Sequence, residues 1–436
     1  MKINRLLLLV MPSFLLATSL NEVIQDALYT NPQIKVKKEV VNTQVQELKG
    51  LKGNGYLPSI DLYFAIGPEI TKTPANNGEK ASLTRQEISI TLKENLFAGF
   101  STKSEVKRKN FLVLSSKNDA QTVASDFAYD AISTYIEVLK QSKLYSIAQA
   151  TTKTYKEYVA KIKERFDAGL EVHSNYIQTV ARLENVKNLE LMAKQDYQTA
   201  VYQLQRLLPK LQDPSKFEDP ILHKLPSSKI EDLIKLAWVS NPKILKQQNI
   251  IDAQQESVRT SKSGYYPTVD LILKAYNNKN VGGVGYSTPE NPNPIDTDEG
   301  YNALFVVNYN LFKGLSTDAA VESAKHKVLK EQESLRDTKL YIQSSLKIAF
   351  DKYKTLQKRY EIVKRYLKAS KQTRTDYLDE YELGGRTITD ILGVESEYDS
   401  AKNLEVTLKY DQMKSYYELL YHTGLLLSEM NIVVEQ

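Results

Sequence analysis

The residues best able to do chemistry in this chain are few and scattered. It has no cysteine and four histidines, His173, His223, His326 and His422. None of the four stands at the close spacing through which side chains share a metal ion, so no metal site is expected. There is no Gly-x-Ser-x-Gly turn to expose a nucleophilic serine. Gly283-Val284-Gly285 lies in a proline-rich stretch with no helix after it, so it is not a phosphate cradle. The chain reads as a non-enzyme without a cofactor. What remains are the two glycine breaks that end long Gly- and Pro-free runs, at Gly169 and at Gly384-Gly385, each followed by polar residues. On spacing alone, Arg386 and Asp390 form an exposed i,i+4 pair worth a few tenths of a kcal/mol.

The elements that position these residues begin with an exported N-terminus. In MKINRLLLLVMPSFLLATS, Lys2 and Arg5 form a basic head, Leu6 to Leu16 an apolar core and Ala17-Thr18-Ser19 a small-residue exit. Residues 1–19 therefore read as a secretory signal peptide. Beyond them no stretch approaches the roughly 18 apolar residues of a membrane helix. The absence of cysteine excludes disulfides and a lipid anchor on an N-terminal cysteine. Net charge is +5, or +3 without Lys2 and Arg5 (5 − 2 = 3), with both signs interspersed. That is no footprint for nucleic acid.

The rest of the sequence is written twice. LNEVIQDALYTNPQI at Leu20 parallels IEDLIKLAWVSNPKI at Ile230, and GYLPSIDL at Gly55 parallels GYYPTVDL at Gly264. NLFAGFST at Asn95 parallels NLFKGLST at Asn310, and RFDAGLEVHSN at Arg165 parallels EYELGGRTITD at Glu380. The offset drifts only from 209 residues (Gly55 to Gly264) to 215 (Asn95 to Asn310). So long a period is a duplicated fold rather than a solenoid. The first repeat is placed at 20–229 and the second at 230–436.

Each copy carries the same punctuation. Asn31-Pro32 and Asn241-Pro242 read as helix starts, Asn capping free N–H groups and Pro suiting the first turn. After a helix of about 22 residues, Gly55 and Pro58, or Gly264 and Pro267, break the pattern and the period becomes alternating. Ile60, Leu62, Phe64 and Ile66 oppose Ser59, Asp61, Tyr63 and Ala65, and Ile88, Ile90 and Leu92 oppose Glu87, Ser89, Thr91 and Lys93. Val269, Leu271 and Leu273 oppose Thr268, Asp270 and Lys274. Ala303, Phe305, Val307, Tyr309 and Leu311 oppose Asn302, Asn308 and Asn310, with Leu304 and Val306 blurring the alternation. Hairpins are thus expected at about 58–97 and 267–312.

No Gly or Pro occurs from Phe100 to Ala168 or from Leu315 to Leu383, so two uninterrupted helices are expected there. About 66 residues at 1.5 Å each give roughly 100 Å. Ile342, Leu346, Ala349, Tyr353, Leu356, Tyr360, Val363 and Leu367 form a heptad seam. Return helices are expected at 175–208 and 390–427.

Strands of about ten residues, apolar on one face and polar on the other, with Tyr56, Phe97, Tyr265, Tyr266 and Phe312 at their ends, read as outer membrane barrel strands. Four strands cannot close, and lipid tolerates no open sheet edge. Three chains would supply twelve strands. The competing reading is a periplasmic coiled-coil scaffold without channel activity, which has no use for lipid-facing strands.

The duplicated NP-helix, GYLPSIDL, NLFxG, RFDAGL…N and YELGGRTITDIL resemble the TolC family of outer membrane efflux and type I secretion channels, from about Leu20 to Leu427. The resemblance implies an α+β membrane protein: a homotrimeric 12-stranded β-barrel, four strands per chain, continued by a long α-helical barrel in the periplasm. Segment 209–229 and the C-terminal tail would form a mixed region around the tunnel's middle. It implies a passive duct for small molecules or proteins. The partners implied are outer membrane lipid, a periplasmic adaptor (membrane fusion) protein and an inner-membrane transporter of RND or ABC type. It also implies that the helix-end turns close the periplasmic mouth. Tyr381 and Arg386 would then bond across to Ser174 and Asn175, and Asp390 would form a carboxylate ring at the constriction. The sequence departs from the family twice. Asn175 stands where Asp is usual, and Gly393 where a second inward Asp is expected.

Overall fold

The computed structural model describes residues 20–72, 78, 80–208, 214, 217–283 and 297–432. The segment read as a signal peptide, Val284-Gly285, most of 209–216 and the last four residues lie outside the described residues. The elements run α1 (Leu20–Thr30), α2 (Pro32–Tyr56), β1 (Ser59–Lys72), β2 (Lys80–Ala98), α3 (Ser101–Asp167), α4 (His173–Leu207), α5 (Ile230–Ser240), α6 (Pro242–Ser261), β3 (Thr268–Lys279), β4 (Thr297–Asn308), α7 (Ser316–Glu382), α8 (Ile388–Thr423) and α9 (Leu426–Glu429).

Two compact units are distinguished, and they cut across the repeats. Of the described residues, one holds those up to Lys37, those within Ala120–Ile244 and those from Thr338 onward; the other holds those within Lys38–Asp119 and Leu245–Asp337. Each unit therefore takes matching parts of both copies. The division at residue 229 marks the duplication in sequence, not a boundary between separately packed bodies.

The second unit contains the sheet. Its four strands are antiparallel in the order β1-β2-β3-β4. The register puts the apolar residues opposite one another: Leu62 faces Ile90, Phe64 faces Ile88, and Leu92 faces Leu273. Leu271 faces Phe305 and Val269 faces Val307. Because side chains alternate along a strand, these residues share one face. The other face pairs Asp61 with Thr91, Thr91 with Lys274 and Lys274 with Asn302. Ile272 and Leu304 are an apolar pair on that polar face.

The strands are longer than the ten residues expected: 14, 19, 12 and 12. The pairing runs into stretches whose polar, turn-rich composition reads as loop, Thr71 to Ser82 and Val281 to Gly300, and continues as far as Lys72 with Lys80 and Lys279 with Thr297. β4 ends at Asn308, so Tyr309 and Leu311 lie past the strand. Its partner β3 begins at Thr268, immediately after Pro267, which has no N–H to extend the ladder.

The strand-to-helix junction explains why NLFxG is written twice. Gly99 and Phe100 have φ of 59° and 69°, and Gly314 and Leu315 have 57° and 61°. Two successive left-handed residues swing the chain out of the strand and into the long helix. Glycine takes the first at no steric cost, whereas the bulky second residue carries strain of about 1–3 kcal/mol. In the first copy that strain is offset by aromatic packing, with Phe100 edge-on to Phe97 at 5.0 Å and to Tyr266 at 5.5 Å. The glycine of each GY motif has a different reason. A Cβ on Gly55 would lie 2.5 Å from Thr102 Cγ2, and one on Gly264 2.9 Å from Thr317 Cγ2. In both copies a glycine meets a threonine of the outgoing helix, from the last turn of α2 in the first and from the 3-10 turn Lys262–Tyr265 that follows α6 in the second.

The long helices α3 and α7 are each 67 residues. In the first unit, Ile342, Leu346, Ala349, Leu356 and Val363 of the heptad seam are buried, and Tyr353, Tyr360 and Leu367 are half-buried. On α3, Ala124, Ala128 and Ala131 are fully buried, small side chains that let neighbouring helices approach closely. The segment after α4 is pinned to this core. Tyr135 Oη donates to the Glu218 carbonyl at 2.9 Å, and Asp219 accepts from Tyr410 Oη at 2.8 Å.

The NP turn of the second copy caps another helix as well as its own. Asn241 Oδ1 accepts from Lys243 N at 2.9 Å, while its Nδ2 donates to the His422 carbonyl at 2.9 Å. Ser240 Oγ donates to the Thr423 carbonyl at 2.7 Å. Thus two carbonyls left free at the end of α8 are satisfied by the turn. α8 stops at Thr423 rather than at 427, because Gly424 turns left-handed with φ 82°. A Cβ there would lie 2.6 Å from Asn241 Cα and 2.7 Å from the Ser240 carbonyl oxygen. Gly424→Ala is expected to cost about 2–3 kcal/mol through strain and the lost cap, read as a lower midpoint in thermal unfolding followed by circular dichroism.

Candidate functional site at the helix-end turns

The turns α3–α4 and α7–α8 open with the same helix stop. Leu170 N donates to the Arg165 carbonyl at 2.8 Å, and Gly385 N to the Glu380 carbonyl at 2.8 Å. Each stop is a six-residue closure around a positive-φ glycine, Gly169 or Gly384. Beneath them lies an apolar cluster from all four helices: Tyr155 and Ile162 of α3, Leu183 and Val186 of α4, Tyr381 of α7, and Ile388, Ile391 and Leu392 of α8. At its rim, Thr389 Oγ1 donates to Gln178 Oε1 at 3.2 Å, and Lys161 Nζ lies 3.2 Å from Glu382 Oε1.

The bonds expected across the turns are not made within the chain. The Tyr381 ring is buried in the cluster under the Arg165 guanidinium, 5.7 Å from its centroid, and its hydroxyl is buried without a hydrogen-bond partner. Burial pushes that hydroxyl's pKa up. Asn175 Nδ2 donates to Glu171 Oε1 at 2.7 Å, in its own turn, and Ser174 is exposed. Arg386 Nε donates to Glu380 Oε2 at 2.6 Å, and its guanidinium lies 4.0 Å from the Tyr377 centroid. An amide at position 175 offers Arg386 no charge, and Glu380, six residues away, does. The i,i+4 pair between Arg386 and Asp390 is replaced by the same contact.

Asp390 caps its own helix. Its Oδ2 accepts from Thr387 N at 3.0 Å and Thr387 Oγ1 at 2.8 Å, while its own N–H donates to Thr387 Oγ1 at 3.3 Å. The hydrogen bonds from Thr387, backbone first, hold the carboxyl below its ordinary value of 3.8. A depressed folded pKa means that the cap's contribution is present above 3.8 and lost as pH falls through the lower folded value. Protection factors of the amides in the first turn of α8, measured rates set against the intrinsic rate at each pH, are therefore expected to stay flat from pH 8 to pH 5 and to fall from this cause only in strong acid.

The sequence reading missed Glu395. It is 2% exposed, and its Oε2 accepts from Tyr158 Oη of α3 at 2.8 Å and from Arg374 Nε of α7 at 2.5 Å. The signal was there. Ile388, Ile391, Leu392 and Glu395 fall at i, i+3, i+4 and i+7, so the glutamate occupies an apolar-stripe position. Among the described residues, no group of His, Asp and Glu could hold a metal ion, and no helix is long and apolar enough to cross a membrane.

A four-stranded antiparallel sheet with one apolar face, together with two helices of 67 residues that each end in a glycine turn, defines the class of outer membrane channel-tunnels. The chain belongs to the outer membrane efflux protein family, whose family model matches residues 23–209 and again 233–425. It is similar to the outer membrane efflux protein BepC of Brucella suis biovar 1 (strain 1330), with 20% identity over 373 residues, 85% of this chain and 78% of BepC. It is also similar to the outer membrane protein TolC of Escherichia coli (strain K12), with 20% identity over 420 residues, 91% of this chain and 80% of TolC. In structure it is similar to the outer-membrane channel OprN, with a TM-score of 0.78 at 16% identity, covering 93% of this chain and 89% of that one. The double match fits the duplication, and the scaffold reading gives way to an outer membrane export channel with its helical part in the periplasm.

Proposed function

We propose that three copies of this chain pool their strands into one twelve-stranded barrel and act as the passive outer duct of a tripartite efflux or type I secretion system. The observation that carries this reading is the sheet itself, apolar on one face and unpaired along β1 and β4. In lipid every backbone N–H and C=O must be satisfied, so both edges need partners. Twelve strands lie within the range of outer membrane barrels. Such a duct has no motor. An inner-membrane transporter of RND or ABC type supplies the energy, and a periplasmic adaptor joins the two.

The turns α3–α4 and α7–α8 close the duct at rest, with Ser174, Asn175, Tyr381, Arg386 and Asp390 around the mouth. The cluster of Tyr381, Ile388, Ile391 and Leu392 against Tyr155, Ile162, Leu183 and Val186 supports closure by burial more than by ionic bonds. Outer membranes extracted in mild detergent should yield a heat-dissociable species of three times the chain mass. A monomer that remains in the soluble fraction would sink the duct.

A further inference from the structure

Among the described residues, the buried polar tie between the two copies near these turns is made by one carboxylate, while Thr389 to Gln178 and Lys161 to Glu382 are exposed. Glu395 is 2% exposed, in the second turn of α8 beyond the cap at Thr387. Tyr158 of α3 donates to it at 2.8 Å and Arg374 of α7 at 2.5 Å, so one oxygen holds three helices. Burial, then the charge of Glu395, pushes the Tyr158 hydroxyl's pKa up, which keeps it a donor at any physiological pH. Arg374 is fixed in turn over the Tyr398 ring, 5.5 Å from its centroid. By contrast, the bonds nearer the tip either stay within one turn, as Arg386 to Glu380, or lie exposed, as Lys161 to Glu382.

We propose that Glu395 is the positioning residue of closure in this channel: it clasps the α7–α8 hairpin to α3, and the tip swings open from this point when the clasp is released. The inference rests on the reading of the turns as a closure. A buried carboxylate suits a latch. Its bonds are strong while dry, and losing one partner leaves an uncompensated buried charge, so the site favours being fully made or fully broken.

Purified trimers in planar bilayers test it. Glu395→Gln is expected to raise open probability about tenfold and Tyr158→Phe about threefold, because each removes part of a buried, charge-assisted contact. The swap Glu395→Arg with Arg374→Glu keeps the ion pair but offers Tyr158 no acceptor, so it should bring the open probability back to about the Tyr158→Phe level, and the heat stability of the trimer should be unchanged in all three. The chain has no cysteine. A Gln178→Cys/Thr389→Cys variant can therefore be joined by a short bismaleimide to tie the tips independently. If this link lowers conductance and Glu395→Gln behaves as wild type, the clasp is overturned and the closure stands. If the linked and unlinked channels both conduct freely, closure by the turns fails and the clasp fails with it. Parallel loss of trimer heat stability, with no recovery in the swap, would make Glu395 merely structural and also overturn the proposal.

Discussion

Outer membranes from cells carrying Leu62→Arg or Phe305→Arg are expected to contain little or none of the heat-dissociable trimer, whereas Asp61→Asn should leave its amount near wild type. Leu62 and Phe305 are each 72% exposed in the isolated chain, on the apolar face of the sheet. Each faces another apolar residue, Ile90 and Leu271. An arginine facing lipid at mid-bilayer costs about 2–4 kcal/mol, and a three-chain barrel would carry the cost three times, about 6–12 kcal/mol. That is comparable with the whole stability of an ordinary domain. Asp61 lies on the opposite face beside Thr91, so trading its charge for an amide removes nothing from lipid. Quantitative immunoblots of unboiled membranes would measure the difference. Equal loss in all three variants would mean that this assignment of the two faces is wrong.

The second large effect separates the ring of Tyr381 from its hydroxyl. Tyr381→Ala is expected to open the resting channel, and Tyr381→Phe is expected to leave it closed. The side chain is 9% exposed and sits in the apolar cluster under both turns. Truncating a buried aromatic to alanine costs about 3–5 kcal/mol, enough to shift a closed state toward open by orders of magnitude. The hydroxyl is buried without a partner, so removing it loses no bond and relieves a desolvation cost of about 1–3 kcal/mol. Single-channel recordings would rank the two. Opening by Tyr381→Phe would contradict closure through ring burial and place the hydroxyl's partner on a neighbouring chain.

The fold was largely legible because its signals are local and repeated. A run without Gly or Pro bounded by glycine means a long helix, and strict alternation means a strand with one apolar face. Both survive without knowledge of tertiary contacts, and seeing each twice fixes the register of the duplication. Strand ends were less legible: β2 begins at Lys80, inside a stretch whose composition says loop, because pairing with β1 carries it outward. The site was legible only in location. Which partner a long charged side chain chooses depends on backbone positions a few ångströms apart, and spacing does not give those. Arg386 took Glu380, Asn175 took Glu171 and Asp390 took Thr387, each a neighbour in sequence competing with a more distant group. Glu395 was readable as a charge on an apolar stripe, but its partners on α3 and α7 lie 237 and 21 residues away.

The bare edges of the sheet have a consequence for biogenesis. In the proposed barrel, with β1 at one edge and β4 at the other, copies would join head-to-tail, each β4 pairing with a β1 that is not its own. Such a contact has no built-in stop except curvature, so a ring that closes competes with a ribbon that does not. A single chain cannot wait in the bilayer for its partners, because two rows of peptide groups would stand in hydrocarbon unsatisfied. For the proposed barrel, association and insertion would therefore form a single cooperative event, and unassembled chains would belong in the aqueous periplasm, where chaperones would have to shield those edges.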